Sequence, residues 1–215
     1  MDLYQKAANG AADEELLLKS GENKYPSDIS RDGHFLLYES HGPKTQGDLW
    51  VLPLQGDAKP FPFLLTMSNE IDGHFSPDRR WVAYMSDESG RFEIYVRPFS
   101  PDVSAADASG AGPKWQVSYG GGQEPRWSAD GKELYYLTLD WKVMEVDVTA
   151  SPAFQAGTPR LLFQVPRQSN VVNGNYTVDG KRFLFLAPAG QAGQAQAQAP
   201  LTVVLNWQAA LQKQQ

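Results

Sequence analysis

One short pattern occurs four times along this chain of 215 residues, and it constrains the fold more than any other feature. The copies read DISRDGHFLLY, HFSPDRRWVAY, RWSADGKELYY and NYTVDGKRFLF, starting at Asp28, His74, Arg126 and Asn175. Their turn aspartates, Asp32, Asp78, Asp130 and Asp179, lie 46, 52 and 49 residues apart. A period of this length is typical of one small antiparallel sheet per repeat, so the sequence predicts a β-propeller.

Each copy predicts two strands joined by a tight turn. A large apolar residue precedes the turn, and two bulky columns with a period of two follow it, which is the spacing of a strand. The Ser-x-Asp-Gly segment between them favours a hairpin, because the carboxylate accepts turn amide hydrogens and glycine adopts positive φ. We interpret the four turn aspartates as structural, since one identical carboxylate per repeat is what a repeated scaffold needs.

Two further strands are predicted in each unit. Third strands are expected at residues 2–5, 48–51, 93–96 and 142–145, and edge-like fourth strands at 15–19, 61–67, 115–119 and 161–165. The Pro-, Gly-, Ala- and Ser-rich linkers at 101–113 and 151–159 are expected to be exposed loops. The predicted fold class is therefore all-β, a β-propeller of four-stranded antiparallel blades with about four repeats per chain and partial blades at both ends.

We expect the chain to form one domain over 1–215. The register of the four copies divides this domain into repeats. The repeats cover about 2–20 (partial), 22–67, 70–120, 122–166 and 172–207 (partial). Residues 190–200 form an Ala/Gln/Gly tract that we interpret as a low-complexity loop, and residues 201–207 are expected to supply a third strand.

Composition excludes several classes of function. The net charge is −6 and the basic residues are scattered, so no nucleic acid partner is expected. No run of about 18 apolar residues is present, which predicts no membrane insertion, and the N-terminus lacks the pattern of a secretory signal. The absence of cysteine excludes disulfides and thiolate chemistry.

No catalytic or metal-binding motif emerges. The nearest approach to a Gly-x-Ser-x-Gly nucleophile elbow is QVSYG at 116–120, which lacks the first glycine. The histidines, His34, His41 and His74, do not have the spacing of a metal site. We therefore predict no catalytic residue, no cofactor and no metal ligand.

A binding site is predicted where the repeats differ. The residue before the apolar first-strand column is polar in every repeat but never the same: Asp28, His74, Arg126 and Asn175. First strands line the central channel of a propeller, so we expect these side chains, with Asp72 and Glu124 two residues earlier, to ring the channel mouth. The alternative is that they are merely solvated at the channel wall.

Partial blades raise the question of how the ring closes. Open blade faces and strand edges are avoided in soluble proteins. The sequence allows a four-bladed ring, an eight-bladed ring shared by two chains, or completion by upstream repeats of a longer parent chain. We favour the homodimer.

The segment SDESGRFEIY at 86–95, preceded by FSPD at 75–78, resembles the repeat of the TolB-type, WD40-like propellers. The run from 122 to 165, followed by YTVDGKRFLF and LTVVLNW, is also similar to the C-terminal propeller of bacterial membrane-linked serine/threonine kinases and winged-helix regulators. Arg79 departs from the pattern because it replaces the turn glycine.

This resemblance implies a non-catalytic interaction or sensor module that binds a protein, a peptide or a small molecule, in a periplasmic or otherwise extracytoplasmic location. Two alternatives remain open. One is the substrate-gating propeller of a prolyl-oligopeptidase-type serine peptidase whose catalytic domain is absent here. The other is a lactonase- or lyase-like propeller with a metal in its channel.

Overall fold

The computed structural model describes residues 1–11, 13–43, 45–56, 59–102, 107–149, 153–165, 176–179 and 182–185. Within these ranges the protein consists of antiparallel sheets that follow one another along the chain. The predicted fold class, an all-β partial propeller, is confirmed. The predicted loop at 190–200 and the predicted strand at 201–207 lie outside the described residues.

Among the described residues, three full blades are flanked by two half-blades. The N-terminal half-blade contains β1 (Leu3–Gln5) and β2 (Glu15–Leu18). Blade 1 contains β3 (Asn23–Ile29), β4 (Phe35–His41), β5 (Asp48–Pro53) and β6 (Phe61–Leu64), and blade 2 contains β7 (Glu70–Phe75), β8 (Trp81–Ser86), β9 (Glu93–Pro98) and β10 (Trp115–Gln116). In blades 1 and 2 the spatial order of the strands follows the chain.

Blade 3 differs from the prediction because it has five strands. These are β11 (Gln123–Trp127), β12 (Glu133–Leu137), β13 (Lys142–Thr149), β14 (Gln155–Ala156) and β15 (Arg160–Gln164). The long β13 pairs with β15 near its start and with β14 at its end, so one strand supports two outer partners. The C-terminal half-blade contains β16 (Tyr176–Asp179) and β17 (Arg182–Phe185).

Two further details, one in an outer strand and one in a linker, differ from the prediction. The fourth strand of blade 2 was expected to reach residue 119 but ends at Gln116, because the Ser118 hydroxyl accepts the Ile94 amide at 2.8 Å in place of a backbone carbonyl. The linker at 101–113 is exposed over most of its described residues, as expected, but it also contains one helical turn, Asp107–Ala111, packed on β6. Ala108 in that turn is buried, and its carbonyl accepts the Leu65 amide at 2.7 Å.

The core consists of four apolar clusters, one between each pair of neighbouring blades or half-blades. The two bulky columns of the second strands both face the preceding blade, as in the pair Val82 and Tyr84. The residues between them face the following blade, as Ala83 does. The second strands of the three complete blades are therefore buried on both faces, which explains why they read as apolar runs instead of an apolar–polar alternation. In the part of the chain that the structure describes, no helix is long and apolar enough to cross a bilayer.

Candidate functional site

The site lies where the first strands of consecutive blades meet. β3 contacts β7, β7 contacts β11, and β11 contacts β16, so these four strands stand side by side. Equivalent residues of the repeats are thereby brought to one end of the sheet assembly. The polar first-strand positions predicted from sequence lie at that end.

A β-bulge precedes the site residue in each of the three complete first strands. The pairing register shifts between Pro26 and Asp28, between Ile71 and His74, and between Gln123 and Arg126. In the last two strands the bulge contains an acidic residue in the left-handed region, Asp72 at φ 50° and Glu124 at φ 54°. Non-glycine residues rarely adopt this conformation, and bulges commonly re-aim side chains beside functional sites.

The bulges bring Asp72, His74 and Arg126 into one polar network. Nε2 of His74 lies 3.0 Å from Oδ1 of Asp72 and 2.6 Å from Nη1 of Arg126. The same Nη1 lies 3.3 Å from Oδ2 of Asp72. One ring nitrogen cannot both accept from the guanidinium and donate to the carboxylate, so the tautomer of His74 decides which of the two contacts is a hydrogen bond.

Charge pairing favours the ionised forms of Asp72 and Arg126. Burial acts to raise the pKa of Asp72, but His74 and Arg126 outweigh it, so the pKa lies below its ordinary value. Burial acts to lower the pKa of Arg126, but Asp72 and Glu124 outweigh it, and the pKa lies above its ordinary value. The guanidinium is therefore committed to its protein partners.

Blade 3 and the C-terminal half-blade fix the other side of Arg126. Nη2 of Arg126 lies 3.9 Å from Oε2 of the buried Glu124. The guanidinium carbon stands 5.6 Å from the centre of the Tyr176 ring, a cation–π contact. The Tyr176 hydroxyl donates to the Glu124 carbonyl at 2.8 Å, which ties the half-blade to the bulge of β11.

Asp28 is the carboxylate of the site with the most solvent access. Its Oδ1 accepts the Ile29 amide and its Oδ2 accepts the Phe75 amide, each at 2.9 Å, so it also links blade 1 to blade 2. The Asp28 Oδ2 atom lies 3.8 Å from Nδ1 of His74. Burial raises the pKa of Asp28, and His74 and the two amides only partly offset it. This carboxylate retains capacity to accept further hydrogen bonds.

These side chains open into a cleft of about 400 Å³. Asp28, His74 and Arg126 provide its polar wall, and apolar surface comes from Ile29, which is 56% exposed, and from Trp127. The rim consists of one aligned column of the repeats, which again differs from one repeat to the next: Arg31, Pro77, Ala129 and Val178. A mixed polar and apolar cleft of this size is suited to a ligand.

Five of the six predicted site residues are thus brought together: Asp28, Asp72, His74, Glu124 and Arg126. The sixth, Asn175, lies outside the described residues. Sequence reasoning missed Tyr176 and Trp127, which it assigned to the apolar column. Their polar atoms hold the site together: the Trp127 indole donates to the His74 carbonyl at 3.1 Å, and the Tyr176 hydroxyl donates to the Glu124 carbonyl.

The turn aspartates lie away from the network and close their own hairpins. In blade 1, Oδ1 of Asp32 accepts from the Ser30 hydroxyl at 2.7 Å and from the His34 amide at 3.1 Å. Asp78 and Asp130 make the same pair of contacts in their blades. Asp179 pairs with Arg182 across the last hairpin. The position after each aspartate has positive φ in Gly33, Arg79 and Gly131.

Across the described ranges, no group of three or more histidine, cysteine, aspartate or glutamate side chains is placed to hold a metal ion. The network of Asp72, His74 and Arg126 contains no hydroxyl or thiol nucleophile. The arrangement that the described residues offer is suited to recognising a ligand by charge and hydrogen bonds.

No family model and no curated protein matches this sequence. Solved structures do match its fold. TolB from Acinetobacter baumannii is 20% identical with a TM-score of 0.58, and the match covers 85% of this chain and 44% of that one. A protein described as a TolB from Agrobacterium tumefaciens is 16% identical with a TM-score of 0.56, over 73% of this chain and 55% of that one.

A puromycin-hydrolyzing peptidase from Mycobacterium tuberculosis is 19% identical with a TM-score of 0.51, over 70% of this chain and 26% of that one. The chain therefore spans about half the length of the two TolB structures, or less. At these identities the likeness concerns the fold. It confirms the TolB-type β-propeller fold that the repeat sequence implied.

Proposed function

We propose that this chain is a non-catalytic propeller module that binds a protein, a peptide or a small ligand at the mouth of its central channel. The observation that carries the proposal is the convergence of Asp28, His74 and Arg126, from three blades, on one cleft. Asp72 and Glu124 form ion pairs with Arg126. A scaffold alone needs the same residue in each repeat, whereas these positions differ. Bulges with strained acidic residues support the same proposal, because such strain persists where the surroundings hold it for a purpose.

Binding is tested by selecting peptides from a displayed library against the purified chain and measuring their affinity by fluorescence polarisation. Asp28→Asn preserves the shape of the side chain and removes its charge, so we expect at least about tenfold weaker binding of the selected peptides. Asp147→Asn is the matched control, because Asp147 is exposed on blade 3 and pairs with Arg160. Equal binding by the wild type and Asp28→Asn would remove the channel mouth from the proposal.

Absence of catalysis is tested separately. We expect no hydrolysis of peptide or ester substrates above background by the purified chain. Turnover that a serine-directed reagent abolishes would end the non-catalytic proposal.

A second candidate function is the substrate-gating propeller of a serine peptidase. The fold likeness to the peptidase from Mycobacterium tuberculosis favours it. The two candidates differ in whether the same polypeptide also carries a hydrolase domain with a nucleophile elbow. If it does, the cleft filters substrates instead of serving as the terminal binding site.

We also infer an extracytoplasmic location, which rests on the likeness to TolB-type propellers. Fractionation of cells that express the intact gene tests this inference. Recovery of the protein with the cytoplasmic fraction would contradict it.

A further inference from the structure

The residue at the start of each third strand, or directly before it in the case of Asp2, is acidic in the first three units, and it faces the start of the next blade. Asp2 lies 3.5 Å from Nζ of Lys24, a lysine that is only 3% exposed. Glu93 accepts the amides of Gly120 and Gly121 at 2.9 and 2.8 Å. In both interfaces a carboxylate faces a positively polarised donor.

The interface between blades 1 and 2 is different. Its third-strand acid is Asp48, and the residue aligned with Lys24 is Glu70. The Glu70 amide donates to the Gly47 carbonyl at 2.7 Å, which brings the backbones of the two acids together at the blade junction, and the charge of Asp48 acts on Glu70. Asp48 is 3% exposed and Glu70 is fully buried. Two carboxylates therefore lie where the preceding interface has a carboxylate and a lysine, Asp2 and Lys24.

Each carboxylate is satisfied on one oxygen by a threonine. The Thr45 hydroxyl donates to Oδ2 of Asp48, and the Thr66 hydroxyl donates to Oε1 of Glu70. Among the described residues, no donor lies within hydrogen-bond distance of the other oxygens, Oδ1 of Asp48 and Oε2 of Glu70. The same holds for the buried Oδ1 of Asn69. Buried acceptors without a donor are costly, and two buried like charges are more so.

Glycine at position 47 lets Asn69 and Ile71 pack directly against the backbone before Asp48. A Cβ at Gly47 would stand 2.6 Å from Oδ1 of Asn69 and 2.7 Å from Cγ2 of Ile71. Both distances are too short for a real side chain. Asp87 and Glu88 lie nearby and add to the negative potential at Glu70.

We propose that the junction of blades 1 and 2 binds a divalent cation, with calcium the first candidate, through Asp48, Glu70 and Asn69. The cation takes the role that the Lys24 ammonium has in the preceding interface. Carboxylate and amide oxygens are the ligands that calcium and magnesium prefer, and the donor set contains no nitrogen or sulfur. Two positive charges neutralise the two carboxylates and join β5 to β7. The site is distinct from the channel mouth and independent of its proposed function.

The test begins with the whole chain treated with a chelator and then dialysed. Isothermal titration calorimetry with CaCl₂ or MgCl₂ at pH 7.5 is expected to show one saturable site per chain. Thermal unfolding in saturating CaCl₂ is expected to occur about 3–5 °C higher than in chelator, with NaCl of equal ionic strength as the reference. Unchanged melting temperature with both cations overturns the proposal, as does stability that follows pH alone, because a shared proton then replaces the cation.

Two substitutions at Glu70 sharpen the test. Glu70→Gln is expected to lose the calcium shift, whereas Glu14→Gln, at an exposed position, retains it. Glu70→Lys supplies the ammonium of the preceding interface, so its melting temperature is expected to be insensitive to calcium and at least equal to that of the chelated wild type. If calcium raises the melting temperature of Glu70→Gln as much as that of the wild type, the proposal is overturned, even if Glu70→Lys fails to fold.

Discussion

At the scale of single residues, Gly33 in the first hairpin turn shows the energetic cost of backbone strain without any side-chain clash. Gly33 has φ 72°, and a Cβ there would meet nothing within 4 Å. We therefore expect Gly33→Ala to destabilise the protein by about 1 kcal/mol through conformational strain alone. Gly21→Ala is the matched control, because Gly21 also faces open space but lacks positive φ. Urea unfolding measures both, and equal stability of the two variants would contradict the explanation.

The pKa of Glu70 predicts a pH dependence of the chelator-treated protein. Burial, with the help of Asp48, raises this pKa to about 7, and the Thr66 bond only partly opposes it. Between about pH 4.5 and pH 7 the folded state retains a proton that the unfolded state has released. The free energy of unfolding should consequently fall as pH rises through that window, by at most about 3 kcal/mol.

Glu70→Gln removes this titration, so we expect the chelated variant to match the wild type near pH 5 and exceed it near pH 8. Urea unfolding at the two pH values provides the measurement. Glu93→Gln should instead be less stable than the wild type at pH 8, because a neutral amide accepts the Gly120 and Gly121 amides less strongly than the carboxylate does. A loss of stability at pH 8 in Glu70→Gln would refute the assignment.

At the scale of elements, the helical turn Asp107–Ala111 acts as a strap from blade 2 onto blade 1. Ala108 is 3% exposed and its carbonyl accepts the Leu65 amide. Ala108→Asp would bury a charge beside β6, so we expect a loss of about 1–3 kcal/mol and faster proteolysis in the 101–113 linker. Ala153→Asp, at an exposed position, should have little effect. Unchanged proteolysis of Ala108→Asp would show that the turn does not clasp blade 1.

Sequence could predict the second strands but not this turn, for a physical reason. Val82, Tyr84 and their counterparts recur because every blade must fill the same space against its predecessor. The turn, the extra strand β14 and the bulges at Asp72 and Glu124 occur outside that repeated packing, where side-chain patterns carry no period. The positions of the candidate site could be predicted because they lie next to the repeated apolar column. Which of its side chains contact one another could not, because the β-bulges decide it.

At the scale of the whole molecule, the two half-blades are complementary. β1 and β2 correspond to the third and fourth strands of a blade, and β16 and β17 to the first and second. Within the described residues, β17 pairs with β16 and β1 pairs with β2, which leaves one free edge on each. A second copy that places its β1 beside β17 would complete a four-stranded blade.

We therefore expect light scattering to give about twice the chain mass of 23.8 kDa at micromolar concentration. Leu184 is 62% exposed on β17, and Leu184→Glu should shift the protein towards the monomer. Leu139→Glu, at an exposed turn of blade 3, is the control. A wild-type monomer at high concentration would rule out closure by a second copy.

The third-strand acids have different partners at each blade junction, and this restricts how such a chain can evolve. Because Asp2 meets a lysine, Asp48 a glutamate and Glu93 two glycine amides, the modules are not interchangeable. Transposing blade 2 to follow the N-terminal half-blade would set Glu70 against Asp2 and deprive Lys24 of its counter-ion. Duplication copies a repeat, but the copy packs in a new position only when its junction residues match those of its new neighbours.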